Sequence, residues 1–299
     1  MAGPGAAASM ARTSPERTSA LTVLQAIVLG LTQGATEFAP ISSSGHLILV
    51  PWLFNWSIVN DVALNKTFDV ALHVGTLVGA LAYFRRDIWR YLRAWFASIG
   101  HRAILTTDER LAWALVIGTI PGAVAGAALE DTIQEHLGQP WLIATMLAVF
   151  GVVLWWVDAR APSERSLDTI GVRTGLGLGI AQAAALQPGV SRSGITMTAA
   201  RWIGIDRETA ARFSFLLAIP IIAGAGLFKG VDLVHTGFQG YGTEFLWGFL
   251  SSAVSGFLVI WALLGYLRRH SYKAFMYYRL AAAALVLVLI ATGARSATI

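Results

Sequence analysis

The chain has 299 residues, 56% hydrophobic and 13% charged, with no cysteine. A soluble domain carries about 25% charged residues, so an integral membrane protein is expected; disulfides, thiolate metal sites and thiol nucleophiles are excluded. The net charge of +5 is accounted for by basic cytoplasmic loops, and no nucleic-acid role is expected.

Residues 1–20, small and polar with Gly and Pro, predict a disordered tail. Residues 21–299 are expected to form a single polytopic membrane domain. The apolar run at 21–31 leads directly into a polar motif, so it reads as retained rather than as a cleaved signal. The pattern then predicts six spans, at 68–84, 111–129, 141–157, 212–228, 245–266 and 280–295. The tract 82–96 reads as a basic amphipathic loop on the inner interface. Charge alternates between the spans. Segment 85–110 holds six Arg, 158–173 three, 201–212 three, and 267–279 three Arg and one Lys. By contrast 130–140 holds Glu130, Asp131 and Glu135 without Lys or Arg, and Lys229 is the single Lys or Arg in 229–244. Basic loops inside and acidic loops outside fit all six spans.

Two apolar regions, 21–57 and 174–204, do not fit as simple spans. Pro40 and Gly45 interrupt the first; Pro188, Gly189 and Gly194 interrupt the second. Pro blocks helix continuation and Gly permits tight turns, so each region predicts a re-entrant helical hairpin. Charge counting makes them enter from opposite faces. "GLTQGATEFAPISSSG" (30–45) laid over "GIAQAAALQPGVSRSG" (179–194), at an offset of 149, matches Gly30/Gly179, Gln33/Gln182, Ala35/Ala184, Ser42/Ser191, Ser44/Ser193 and Gly45/Gly194. The expected architecture is therefore all-α, with two inverted-topology repeats at about 21–157 and 174–295 and a site near the midplane.

In the first hairpin Gln33 and Glu37 stand four apart on one helix face. A carboxylate in an apolar stretch reads as functional, though one that caps a re-entrant helix is an alternative. Ser42, Ser43, Ser44 and Gly45 form a polar turn able to cradle an anion or simply to cap a helix. His46 is a candidate acid or base. In the second hairpin Arg192, between Ser191 and Ser193, needs an anionic partner: Glu37 or a substrate phosphate. Thr196 could donate to the same anion or bond its own backbone. Asp69 and His73, one turn apart, read as supporting or structural residues. After Ser191-Arg192 the stretch "SGITMTAAR" holds no histidine, which argues against the mechanism of the acid-phosphatase-like lipid phosphatases, where a histidine a few residues after Ser-Arg is the nucleophile.

"QGATEF" with "PISSSGH", and "PGVSRSGIT" in the second half, resemble the undecaprenyl-diphosphate phosphatases, the bacitracin-resistance family of bacteria. The resemblance runs from about 22 to 290 and includes "FDVALHVGT" and "FSFLLAIP". Family members commonly carry Glu at the position of Gln33, so here the acidic role falls to Glu37. The resemblance implies hydrolysis of undecaprenyl diphosphate to the monophosphate and phosphate, recycling the lipid carrier of peptidoglycan synthesis. It implies a multi-pass protein of the bacterial inner membrane with its site toward the outer face, a divalent cation (Mg²⁺ or Ca²⁺) anchored at Glu37, and lipid partners; a homodimer is possible. Glu37, Ser43, His46 and Arg192 are the expected catalytic residues. Gln33, Ser42, Ser44, Gly45, Ser191, Ser193 and Thr196 are the expected substrate contacts. Either Ser43 or a water is the nucleophile. The alternative reading is a transporter or flippase of the polyprenyl phosphate carrier.

Overall fold

A computed structural model describes residues 21–298 apart from Gln239, the side chains of 59–60, 130–136 and 229–236 excepted. The expected disordered tail at 1–20 lies outside the described residues. These residues form ten α-helices, joined by short loops and three 3-10 turns. In chain order they are α1 (Val23–Phe38), α2 (Ser43–Phe54), α3 (Val62–His101), α4 (Thr107–His136), α5 (Pro140–Arg160), α6 (Val172–Ala183), α7 (Arg192–Trp202), α8 (Arg207–Thr236), α9 (Gly242–Leu267) and α10 (Lys273–Ala291). The six long helices α3, α4, α5, α8, α9 and α10 are apolar and long enough to cross a membrane. Each half of the chain thus runs as two short helices followed by three long ones.

The breaks follow from local chemistry. Thr22 and Gln25 form a capping box that starts α1. The helix stops at Ala39, whose extended conformation is the one a following proline enforces. Chain direction resets at Ser42, whose hydroxyl accepts from Gly45 N–H and opens α2. In the second half α6 decays through a 3-10 turn at Ala184–Leu186. Gly189 then takes φ +95°, a left-handed conformation that suits glycine, and Ser191 opens α7.

Two expectations about the loops are corrected. The tract 82–96 is no loop: α3 is continuous for 40 residues, because nothing between Val62 and His101 breaks a helix. At 1.5 Å per residue it is about 60 Å long, so its basic end extends well beyond a hydrocarbon core of about 30 Å. The basic segments 201–212 and 267–279 are not solvated throughout either. Arg201 and Arg279 lie inside α7 and α10 and are fully buried. Arg201 pairs with Asp158 at 2.9 Å and donates to the carbonyls of Ala161, Pro162 and Ile205. Arg207 bonds the same carboxylate at 2.7 Å.

Close helix approach holds the short helices in place. Gly30 and Gly34 of α1 lie against Gly248, Ser252, Ser255 and Gly256 of α9, with no space for a Cβ. Gly175 and Gly179 of α6 lie as tightly against Ala114 and Gly118 of α4. The main apolar core, including Phe38, Phe84, Met197, Phe213, Phe215 and Leu217, adjoins the first break.

Candidate active site

The first break places a carboxylate beside a hydroxyl. Gln33 and Glu37 sit one turn apart on α1, and the Gln33 amide donates to Glu37 Oε2 at 2.9 Å. Across the break, the Ser43 hydroxyl donates to the same oxygen at 2.5 Å. The second break supplies the cation: Arg192 Nη2 lies 2.7 Å from Glu37 Oε1. The Glu37 side chain is 4% exposed and that of Arg192 16%, so the pair is shielded without being sealed. Arg192 Nη1 is buried and makes no hydrogen bond, and neither does Gln33 Oε1. Buried donors and acceptors are ordinarily satisfied, so both atoms have the capacity to bond a ligand.

The two breaks share one geometry. Ser42 and Ser191 have φ values of 75° and 77°, rare for non-glycine residues, and each caps its helix at the third following N–H. They are also laced together. Ser42 Oγ accepts from Gly189 N–H at 3.0 Å, and Ser193 Oγ donates to Ala39 O at 3.0 Å. The amino ends of α2 and α7, where backbone N–H groups lack helical partners, therefore meet beside Glu37 and favour negative charge.

Arg279 of α10 fixes this meeting from behind. Its guanidinium donates to Pro40 O and Val190 O (3.1 and 3.2 Å, Nη1), to Gly189 O (2.6 Å, Nη2), and through Nε to Leu147 O (2.9 Å). It thereby gathers carbonyls of both breaks and of α5. The sequence reading counted Arg279 as a loop residue; its position seven residues into the last helix, beside the apolar run "LAAAALVLVLI", was the available signal.

The structure does not group every expected residue with Glu37. His46 Nδ1–H donates to Ser42 O at 2.7 Å, and its Nε2 faces the Tyr278 hydroxyl at 2.8 Å. The imidazole beside Glu37 is His73, ranked as supporting on sequence: its Nε2 is 3.7 Å from Glu37 Oε2, and its side chain is 33% exposed. His73 Nδ1 bonds Asp69 O at 2.8 Å, which fixes Nδ1 as the protonated nitrogen and leaves Nε2 free to accept. The Thr196 hydroxyl bonds Arg192 O at 2.8 Å and is fully buried. The Ser191 hydroxyl caps Gly194 N–H, and Ser44 Oγ lies 3.4 Å from Ser42 Oγ. Gly45 is a close-approach position, with Gly189 N 3.3 Å from where a Cβ would stand.

Among the described residues no three His, Cys, Asp or Glu gather into a metal-binding group. The donors that are present, Glu37 and the unpartnered Gln33 Oε1, fit a Mg²⁺ held jointly with phosphate oxygens, since Mg²⁺ commonly takes one or two carboxylates plus substrate phosphates. The cavity of about 610 Å³ bounded by α5, α6 and α7 lies apart from this cluster and is lined mainly by Val153, Trp156, Leu178, Ile195 and Trp202.

Comparison with known proteins places this geometry in context. The family model described as "Bacitracin resistance protein BacA" matches residues 26–285. An undecaprenyl-diphosphatase of Moorella thermoacetica is 49% identical over 267 residues, covering 89% of this chain and 97% of its own. One of Pelotomaculum thermopropionicum is 47% identical (91% and 98%). One of Thermomicrobium roseum is 46% identical (92% and 100%).

Proposed function

Because the chain belongs to the bacitracin resistance protein BacA family, we propose that its site hydrolyses undecaprenyl diphosphate to undecaprenyl phosphate and inorganic phosphate, recycling a lipid carrier. The similarity to undecaprenyl-diphosphatases over nine-tenths of the chain supports the enzyme over the transporter reading. The observation that carries the chemistry is the Ser43 hydroxyl bonded at 2.5 Å to a carboxylate whose other oxygen is held by Arg192.

Phosphoryl transfer depends chiefly on positioning and charge stabilisation. Arg192 Nη1 takes an oxygen of the terminal phosphate, and the amino ends of α2 and α7 add their partial positive charge. Ser43 Oγ attacks the terminal phosphorus while its proton passes to Glu37. The bond from phosphorus to the bridging oxygen breaks, and its electron pair leaves with undecaprenyl phosphate. Water then attacks the phosphoserine, releasing phosphate and restoring the Ser43 hydroxyl. His73 Nε2, beside Glu37 and part-exposed, carries the proton outward. His46, with both ring nitrogens engaged, holds the first turn of α2 against α10. A divalent cation, expected from the family resemblance, would be held by Glu37 and Gln33 Oε1 together with phosphate oxygens; when bound it supplies further neutralisation of the diphosphate.

The four short helices have 16, 12, 12 and 11 residues, about 17–24 Å each. That is short of a hydrocarbon core of about 30 Å and supports two re-entrant hairpins meeting near the midplane of a bacterial plasma membrane. The loop charges support inverted halves and a site open to the outer face.

The test is phosphate release from detergent-solubilised protein, with rapid quenching to trap phosphate on Ser43. Wild type is expected to turn over and to yield a transient phosphoserine. Full turnover by Ser43→Ala would transfer the attack to water, and no phosphate release by wild type would end the enzymatic reading.

A further inference from the structure

In the first hairpin, residues 33 and 43 reach across the break to one anion: the Gln33 amide and the Ser43 hydroxyl both donate to Glu37 Oε2. At the offset of 149 the corresponding residues of the second hairpin are Gln182, Leu186 and Arg192. The amide is kept, an arginine replaces the hydroxyl residue, and the carboxylate position is a leucine. The second sequence thus keeps donors at two of the three positions and has no anion at the third. Gln182 is 4% exposed, yet neither end of its amide makes a hydrogen bond. Arg192 Nη1, ten residues on, is likewise buried and unpartnered.

The surroundings of Gln182 do not explain its amide. It faces Gly122 of α4, whose Cβ, if present, would stand 3.2 Å from Gln182 Nε2, and Ile221 of α8 borders the same spot. Both neighbours directly follow an in-helix proline, Pro121 and Pro220. Each proline removes one backbone N–H from its helix, so this is where α4 and α8 are most interrupted, and the glycine leaves space beside the amide. A buried amide without partners is unfavourable by the loss of its hydration, and a leucine or methionine would fill the position at lower cost. Its neighbours thus supply room and no partner.

We infer that Gln182 is a substrate-binding residue: its side-chain amide and Arg192 Nη1 together receive the phosphate anion that the second hairpin lacks and Glu37 provides in the first. This rests on the proposed diphosphatase reading and extends it to a residue outside the serine-arginine motif. In the bound state Gln182 Nε2 donates to a diphosphate oxygen, and Arg192 bridges that phosphate to Glu37.

The experiment measures phosphate release and thermal unfolding for wild type, Gln182→Met and Arg192→Ala in detergent. Methionine matches the shape of glutamine without its donors. Removing one hydrogen bond to a charged group lowers kcat/KM by about ten- to a hundred-fold. Gln182→Met should show that loss with an unfolding temperature equal to or above wild type, because an unsatisfied amide has been removed. Competitive inhibition by inorganic phosphate should weaken in parallel, because Gln182 and Arg192 Nη1 share the terminal phosphate; unchanged inhibition overturns the shared contact. A kcat/KM within two-fold of wild type overturns the inference. Loss of the fold in Gln182→Met overturns it too, since an amide without protein partners cannot be holding the structure together. Wild type without phosphate release would instead refute the diphosphatase reading itself.

Discussion

The two helix breaks share a frame and differ in charge. Both reset the chain at a serine of positive φ that caps a helix of eleven or twelve residues. The first carries the fixed anion, Glu37, and the hydroxyl that bonds it; the second carries Arg192 and an amide with nothing to hold. A frame used twice supplies rigidity, since the caps and crossed serine bonds lock the breaks to each other. On the proposed reading the difference between the two breaks supplies the chemistry: one would present a nucleophile and base, the other donors for the group to be transferred.

That division of labour can be broken at its strongest point first. Ser43→Ala removes the proposed nucleophile and should lower phosphate release by about 10⁴-fold while leaving the unfolding temperature near wild type, as read in a detergent turnover assay with a parallel melt. Arg192→Ala, on the other side, should lower turnover by about 10²–10³-fold. It also leaves Glu37 buried without its cation, so its melting temperature should fall where that of Ser43→Ala does not. Arg279→Met tests the frame rather than either half. Five carbonyls lose their donor, and a destabilisation on the order of 3 kcal/mol is expected from unsatisfied buried groups, measured by denaturation in mild detergent. A variant as stable as wild type would show that the breaks hold without their clamp. The smallest effect separates the caps. Ser191→Ala should cost about 1 kcal/mol; Ser42→Ala should cost more, because Ser42 Oγ accepts from Gly189 N–H as well as from its own helix. Equal losses would mean that the cross-link between the breaks carries no weight.

Much of this frame is legible in the sequence, for identifiable reasons. Prolines, glycines and serines act on their immediate neighbours, so the breaks and their caps can be read from short strings. The pairing of Glu37 with Arg192 is legible because a charge in an apolar stretch requires a partner and few were on offer. His73 was harder to place. Its spacing from Asp69 indicates only a shared helix face, and which helix packs opposite α3 depends on contacts distant in sequence. Arg279 was missed because hydropathy windows blur a single charge into the loop beside it. Its role depends on carbonyls from three separate segments, which no local pattern encodes. His46 shows a further limit: proximity in sequence to the serines suggested direct action on the substrate, and its hydrogen bond to Tyr278 is a partner that no local pattern indicates.

The Arg279 clamp also bears on when the protein becomes active. Segments are made and inserted from the amino end, so both breaks have been synthesised before α10 has left the ribosome. Until Lys273–Ala291 docks against α5, the carbonyls of Pro40, Gly189 and Val190 lack the donor that gathers them. The helix that closes the site is thus made after every other described helix that contributes to it. A chain truncated before α10 would contain the whole sequence of both motifs and still lack the fixed geometry in which they meet.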